Sequence, residues 1–171
     1  MQKALWLLVI AATVVQGALA GTVEPPQRII PCSEIIRFTA FPYLGSYQKR
    51  DRYRLVLDSV SVAPAYIPAY RTLERPWRYF AKRGLIVKRG TAVTITVPPA
   101  WRKSMAITWG NGGHGPFHKI RTAACRFGAP ERGYAYAGGF YLRRSSACAP
   151  LNFTIGNRSK TMWFGIGTHC R

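Results

Sequence analysis

Acidic side chains are the scarcest chemistry in this chain. Asp and Glu together number 6 in 171 residues, against 25 Lys and Arg. Glu34, Asp51, Asp58, Glu74 and Glu131 stand isolated in sequence. A glycosidase sets two carboxylates on either side of one bond, and nothing in this spacing pairs any two. A metal-bound histidine wants an acceptor behind its second ring nitrogen, and carboxylates for that task are few. Zinc-ribbon spacing is missing as well, because no C-x2-C or H-x3-5-H pair lies near a second cysteine pair. A Ser-His-Asp triad has its residue types in the inventory but no motif to place them. A membrane span is lacking at the N-terminus: the apolar run there goes from Ala4 to Val15, about 12 residues where a span needs about 20.

That run has another meaning. Lys3 precedes it and Ala18-Leu19-Ala20 ends it, which is the pattern of a secretory signal with an A-x-A cleavage site. Residues 1–20 are therefore expected to be a signal peptide, and 21–171 a single domain of a secreted, extracellular protein. Gly21 and Thr22 follow the site, where a lipoprotein would carry cysteine. The four cysteines, Cys32, Cys125, Cys148 and Cys170, all fall in the mature part. An even count in an exported chain reads as two disulfides. The formal net charge is +19, and losing Lys3 leaves +18. Such a surface attracts polyanions and speeds encounter with them. Wall polymers, acidic polysaccharide, lipid headgroups and released nucleic acid all fit, and so does a charge that serves only solubility.

Period-2 alternation dominates the mature chain. Val93, Ile95 and Val97 share a face of "TAVTITV"; Met105, Ile107 and Trp109 share one of "SMAITW". Leu151, Phe153 and Ile155 do so in "LNFTI", and Met162, Phe164 and Ile166 in "TMWFGI". "EIIRFTA", "RYRLVLDSVSV", "LIVK", "FHKIRTAA" and "YAYAGGFYL" complete about nine candidate strands separated by Gly and Pro turns. The expected fold is all-β: an antiparallel β-sandwich, Ig-like or jelly-roll-like, stapled by disulfides. Near 76–83, "RPWRYFAKRG" suits a short helix, with Pro76 at its first turn and Gly84 at its stop; a loop fits almost as well.

The last two strands bear on the cysteines. Setting Phe153 opposite Phe164 leaves Cys148 and Cys170 one residue out of register, so a bridge between them needs a bulge or irregular ends. Cys148–Cys170 with Cys32–Cys125 is favoured among three connectivities, and the other two stay open.

"YAYAGGF", "CAPLNFTIGNR" and "FGIGTHC" resemble the C-terminal half of secreted proteins of unassigned function from high-GC Gram-positive bacteria. The resemblance spans about residues 117 to 170. It implies a bacterial secreted β-domain and no particular activity.

One motif invites a cofactor. "GNGGHG", residues 110–115, matches G-x-G-x-x-G after a strand. A dinucleotide site needs a helix after the glycines and an acid about 20 residues on. Here a strand-like "PFHKIRTAAC" follows, and Glu131 stands alone, so no nucleotide or other cofactor is expected. A metal site on His114, His118 and His169 is the better of two weak alternatives, since three histidines with an open position suit catalytic zinc. "THCR" resembles the Ser-His-Gly-Cys run of L,D-type peptidoglycan transpeptidases, but the glycine is missing and Cys170 is spoken for by a disulfide.

Basic and aromatic surface remains. "YQKRDRYR" and the stretch from Tyr70 to Gly90 interleave Tyr, Trp and Phe with Arg and Lys. Guanidinium groups pair bidentately with phosphate and carboxylate. Arg71, Arg75, Trp77, Arg78, Lys82 and Arg83 are the candidate binding residues, with an anionic polymer or surface as partner. The same residues also read as core aromatics beside solvated strand edges. The expected role is a non-catalytic binding protein. The alternative is a secreted hydrolase acting on envelope material, metal-dependent through the histidines. Oligomeric state is not legible.

Overall fold

The computed structural model describes residues 27–43, 52–111 and 115–170. The expected leader, Asp51 and His114 lie outside the described residues. Within them the chain forms fourteen strands and two short 3-10 turns, at Cys32–Glu34 and Pro99–Trp101.

The strands make two sheets. The smaller runs in the order β1 (Arg28–Ile30), β11 (Lys119–Thr122), β9 (Thr94–Thr96), β13 (Ala147–Ile155), β14 (Arg158–Ile166) and β5 (Tyr66–Ile67). The larger runs β3 (Arg54–Val56), β4 (Val60–Val62), β8 (Leu85–Lys88), β12 (Arg132–Leu142), β7 (Tyr79–Lys82) and β6 (Tyr70–Arg71). Two further strands, β2 (Arg37–Ala40) and β10 (Met105–Gly110), also pair with β12. All pairings are antiparallel except those of the two short edges, β1 with β11 and β5 with β14.

Alternation puts the apolar faces inside. Ile95, Leu151, Phe153 and Phe164 from the smaller sheet are buried, as are Leu85, Val87, Tyr136 and Phe140 from the larger. Phe140 meets Phe164 across the sandwich at 5.1 Å, and Trp109 packs edge-on to Phe140 at 5.6 Å. Full burial of each such side chain contributes roughly 1.5–3 kcal/mol.

β12 organises the larger sheet. On one side it pairs with β7 and β8, which share one register: Lys82 lies opposite Gly139 and Leu85 opposite Tyr136. They form one run, interrupted only at Arg83-Gly84. On the other side β2 covers the first half of β12 and β10 the second. The handover falls at Tyr136, between Ala135, opposite Arg37, and Ala137, opposite Gly110. A Cβ on Gly138 would lie 2.0 Å from the Thr108 carbonyl oxygen, and one on Gly139 would lie 2.0 Å from that of Ala81. Both neighbours thus close on β12 where only glycine fits.

Three expectations change. The segment 76–83 is not a helix: residues 79–82 are β7, and a loop with a turn at Arg75-Pro76 precedes it. Trp77, Phe80 and Ala81 therefore do not share a face. Ala81 enters the core, whereas the Phe80 ring packs tilted against Tyr141, centroids 4.7 Å apart. Pairing with the open edge of β12 satisfies this backbone along the whole run and overrides a weak local helix signal. "RYRLVLDSVSV" is not one strand but the β3–β4 hairpin. Its turn is carried by Leu57 and Asp58, with φ of +49° and +55°, and closed by Ser59 N–H donating to Val56 O at 3.1 Å. No glycine or proline announces it. Asp58, expected within a strand, is in that turn, 3.8 Å from Arg158.

The third change is the register of the last hairpin. Phe153 lies opposite Lys160, and Phe164 opposite Ala149. The two-residue turn Gly156-Asn157 sets this, with Gly156 at φ +58° in the position that two-residue turns reserve for such a residue. Cys148 then faces Gly165. After β14 the chain doubles back over Gly165, where a Cβ would meet Thr168 O at 2.3 Å and Cys170 N at 3.1 Å. That return brings Cys170 to Cys148, Cα to Cα 5.3 Å; Cys32 and Cys125 form the other bridge at 5.8 Å.

Replacing Gly139 with alanine is expected to destabilise the fold by about 3 kcal/mol, because backbone rather than a side-chain tip must move. Gly128→Ala, where a Cβ meets nothing within 4 Å but φ is +77°, should cost only about 1 kcal/mol. Urea unfolding of the two variants checks the ranking.

Candidate anion-binding surfaces

The loop between β6 and β7 forms the first surface. Arg71 pairs with Tyr79 across the hairpin. Thr72 N–H donates to Arg78 O at 3.0 Å, and Arg78 N–H to Leu142 O at 2.9 Å, which ties the loop to the end of β12. Glu74 N–H donates to Thr72 Oγ1 at 3.3 Å and tightens the turn. The result is a cleft of about 490 Å³ lined by Arg71, Thr72, Leu73, Arg75, Trp77, Arg78 and Tyr79. Arg71, Arg75 and Arg78 are exposed, and Leu73 is 97% exposed. Trp77 is buried, with the Arg143 guanidinium 5.8 Å above its ring. Its indole N–H has no hydrogen-bond partner among the described residues. Glu74, the one acid of this loop, sits near enough to Tyr141 to add to the rise that burial imposes on that hydroxyl's pKa.

Of the six candidate binding residues, Arg71, Arg75, Trp77 and Arg78 therefore share one cleft. Lys82 and Arg83 do not join them. They line a second hollow of about 300 Å³ on the outer face of the larger sheet, with Arg37 and Thr39 from β2 and with Tyr43 and Tyr53 above. Its floor is β12, through Ala135 and Ala137. Arg37 and Tyr43 escape a reading of the sequence because long-range pairing brings them in: Arg37 lies opposite Ala135. Tyr53 belongs to "YQKRDRYR", so its composition signal was present.

Of the candidate metal-binding histidines, the two among the described residues, His118 and His169, do not come together. His118 precedes β11, next to one edge of the smaller sheet, and is bonded to the Arg102 backbone. His169 follows β14 and stacks on Tyr66 of the opposite edge strand at 4.7 Å. Four strand spacings separate β11 from β5, about 19 Å. The described residues contain no cluster of three metal-ligating side chains. Burial, helped by the Arg102 charge, lowers the pKa of His118.

The first glycine of the motif, Gly110, has a structural reason instead. The Arg28 guanidinium grips the Glu34 carboxylate at 2.6 Å, and both side chains are almost fully buried. Arg28 also donates to Trp109 O at 3.3 Å, and Asn111 N–H to Glu34 Oε2 at 3.4 Å. A Cβ on Gly110 would lie 2.0 Å from Glu34 Oε2. Gly110 is thus glycine so that the ion pair can seat the end of β10. β11, a strand, follows where a phosphate-binding helix would have to start.

No protein-family model and no curated protein matches the sequence.

Two outcomes are expected from these contacts. Glu34→Ala leaves the Arg28 charge buried without its partner and should cost about 3–5 kcal/mol, whereas a Glu34→Ala/Arg28→Met pair should recover part of it. A double-mutant cycle by chemical unfolding checks both. The second concerns pH. A histidine whose folded pKa is depressed takes up its proton first in the unfolded chain, so its contribution is present above 6.5 and lost as pH falls below it. The stability of the wild type relative to His118→Gln should therefore decline from pH 7 to pH 5.

Proposed function

We propose that this is a secreted binding protein that engages an anionic polymer of the cell envelope or the extracellular medium through the β6–β7 cleft. The observation that carries this reading is the gathering of three exposed arginines and a tryptophan around one hollow by a loop that contains a single acid. Arginine forks match phosphate and carboxylate geometry, and a cleft lined by one sign of charge raises the local concentration of the opposite sign. The exposed Leu73 and half-buried Tyr79 offer apolar contact to the backbone of such a polymer. Two disulfides fit an oxidising compartment, and no helix of the described residues is long and apolar enough to cross a membrane.

The test is co-sedimentation of the oxidised protein with purified bacterial envelopes. Binding should be strong at about 50 mM salt and fall by at least about tenfold at 500 mM, because each phosphate-type contact releases counterions. The triple variant Arg71→Glu/Arg75→Glu/Arg78→Glu should lose binding at low salt while its melting temperature stays close to that of the wild type, since all three side chains are exposed. Undiminished binding by the triple variant would remove the cleft from the account.

A further inference from the structure

We propose that the hollow on the outer face of the larger sheet is a second and separate site, built to hold one compact oxyanion, a carboxylate or phosphate on a small polar body of about monosaccharide size. The proposal goes beyond the polymer cleft and does not depend on it.

The backbone makes the hollow. β12 presents Ala135 and Ala137 outward, side chains too short to fill the space between its neighbours. The break between β7 and β8 at Arg83-Gly84 removes a side chain from the wall. A Cβ on Gly84 would come within 3.2 Å of the Tyr53 hydroxyl. Tyr43 and Tyr53 pack edge to face at 5.1 Å above it. Tyr43 is held from below by its N–H, which donates to the fully buried Ser61 Oγ at 3.0 Å. At about 300 Å³ the space is at the lower end of the range for small-molecule sites.

The described lining residues carry charge of one sign. Arg37, Lys82 and Arg83 contribute positive charge, and no acid stands among the described lining residues. Arg83 is the central group. Its N–H donates to Gly138 O at 2.8 Å, and its carbonyl accepts from Trp109 Nε1 at 3.0 Å. Its main chain is thereby fixed on both sides. Its guanidinium Nε is buried, with no hydrogen-bond partner among the described residues. A buried donor left unmade costs about 1–3 kcal/mol; since solvent does not reach Nε, an oxyanion in the hollow would pair with the rest of the Arg83 guanidinium, which lines it. Tyr53 sits against the same charge and is bonded to the Gly84 backbone. Its pKa is raised, first by burial and against the pull of Arg83, so the hydroxyl keeps its proton at neutral pH and remains a donor.

Titration calorimetry with three probes tests this: glucuronate, glucose 1-phosphate and glucose. At low salt at least one of the two anions should bind saturably with one-to-one stoichiometry, and neutral glucose should not. Glucuronate binding alone marks a carboxylate site, and glucose 1-phosphate alone a phosphate site. Arg83→Gln should weaken binding at least about tenfold. Should Arg83→Gln fail to fold, Lys82→Gln, which alters an exposed side chain, should still weaken it about two- to fivefold. Compared at about 150 mM salt, where exposed charges more than about 8 Å apart are largely screened, the Arg71/Arg75/Arg78 triple variant should bind the small anion within about threefold of the wild type, so loss of the polymer cleft and loss of this site are read separately. Absence of saturable binding by both anions, equal binding of glucose, or binding that survives both Arg83→Gln and Lys82→Gln would overturn the proposal. So would binding abolished by the triple variant.

Discussion

The close approach of two strands to Gly138 and Gly139 is the constraint on which the larger sheet depends. β12 runs from Arg132 to Leu142 and must hydrogen-bond along both sides while its neighbours change. Backbone on one side comes where a Cβ of Gly138 would be, and backbone on the other where a Cβ of Gly139 would be. The same crowding recurs at Gly133, where a Cβ would meet Ile86 Cγ2 at 2.7 Å. A central strand made this narrow can be gripped from both sides. Ile86 and Phe41 fill the space over Gly133, but farther along the strand's outward face Ala135 and Ala137 leave the space above them open. The hollow flanked by Arg37, Lys82 and Arg83 is a geometric consequence of how β12 is paired.

The fold class was legible because alternation is strong wherever one face of a strand is buried. β9, β10, β13 and β14 fall where Val93, Ile95, Met105, Ile107, Phe153 and Phe164 put them. What was not legible has two physical causes. Some elements owe their state to a distant partner: β7 is extended because β12 offers it an edge, although "RPWRYFAKRG" carries helix signals. Others rest on turns with no signature residue. Leu57 and Asp58 adopt positive φ with neither glycine nor asparagine. Arg158, a residue of the last hairpin, steadies them by donating to Leu57 O at 3.0 Å. The candidate face was half legible for the same reasons. Consecutive positions on one loop stay together, so Arg71, Arg75, Trp77 and Arg78 share a cleft. Alternation and the Arg83-Gly84 break carry Lys82 and Arg83 to another.

Scarcity of carboxylates shapes how the arginines are used. With few acids to pair, several guanidinium groups serve main-chain carbonyls and rings instead. Arg54 donates to Ala63 O at 3.2 Å and to Trp163 O at 3.0 Å, and lies 4.7 Å over the Phe164 ring. Burial lowers its pKa, though an arginine so placed stays charged. Arg102 donates to Val97 O at 3.4 Å, and Arg28 holds Trp109 O while gripping Glu34. These cations belong to the fold, and the formal charge of +19 overstates what a partner meets as free charge. Among the described residues, the side chains of the β6–β7 loop arginines make none of these bonds. Their availability follows from position at the rim of a hairpin, where carbonyls are already paired across the strands.

The two surfaces meet along a single strand. Tyr79, at the start of β7, lines the cleft, and Lys82, at its end, lines the hollow. Three residues of extended chain span about 10 Å, comparable with the Debye length at 0.1 M salt. Each set of cations therefore raises the potential felt at the other in dilute buffer, and screening separates them in concentrated buffer. On the two proposals above, a small anion would occupy one place and gain from the other only through this field. A polymer whose acidic groups recur within that reach would engage the second place intramolecularly, with an effective concentration set by its own stiffness. Arrangement along β7, more than total charge, thus favours a chain of regularly spaced anions over an equal amount of free ones.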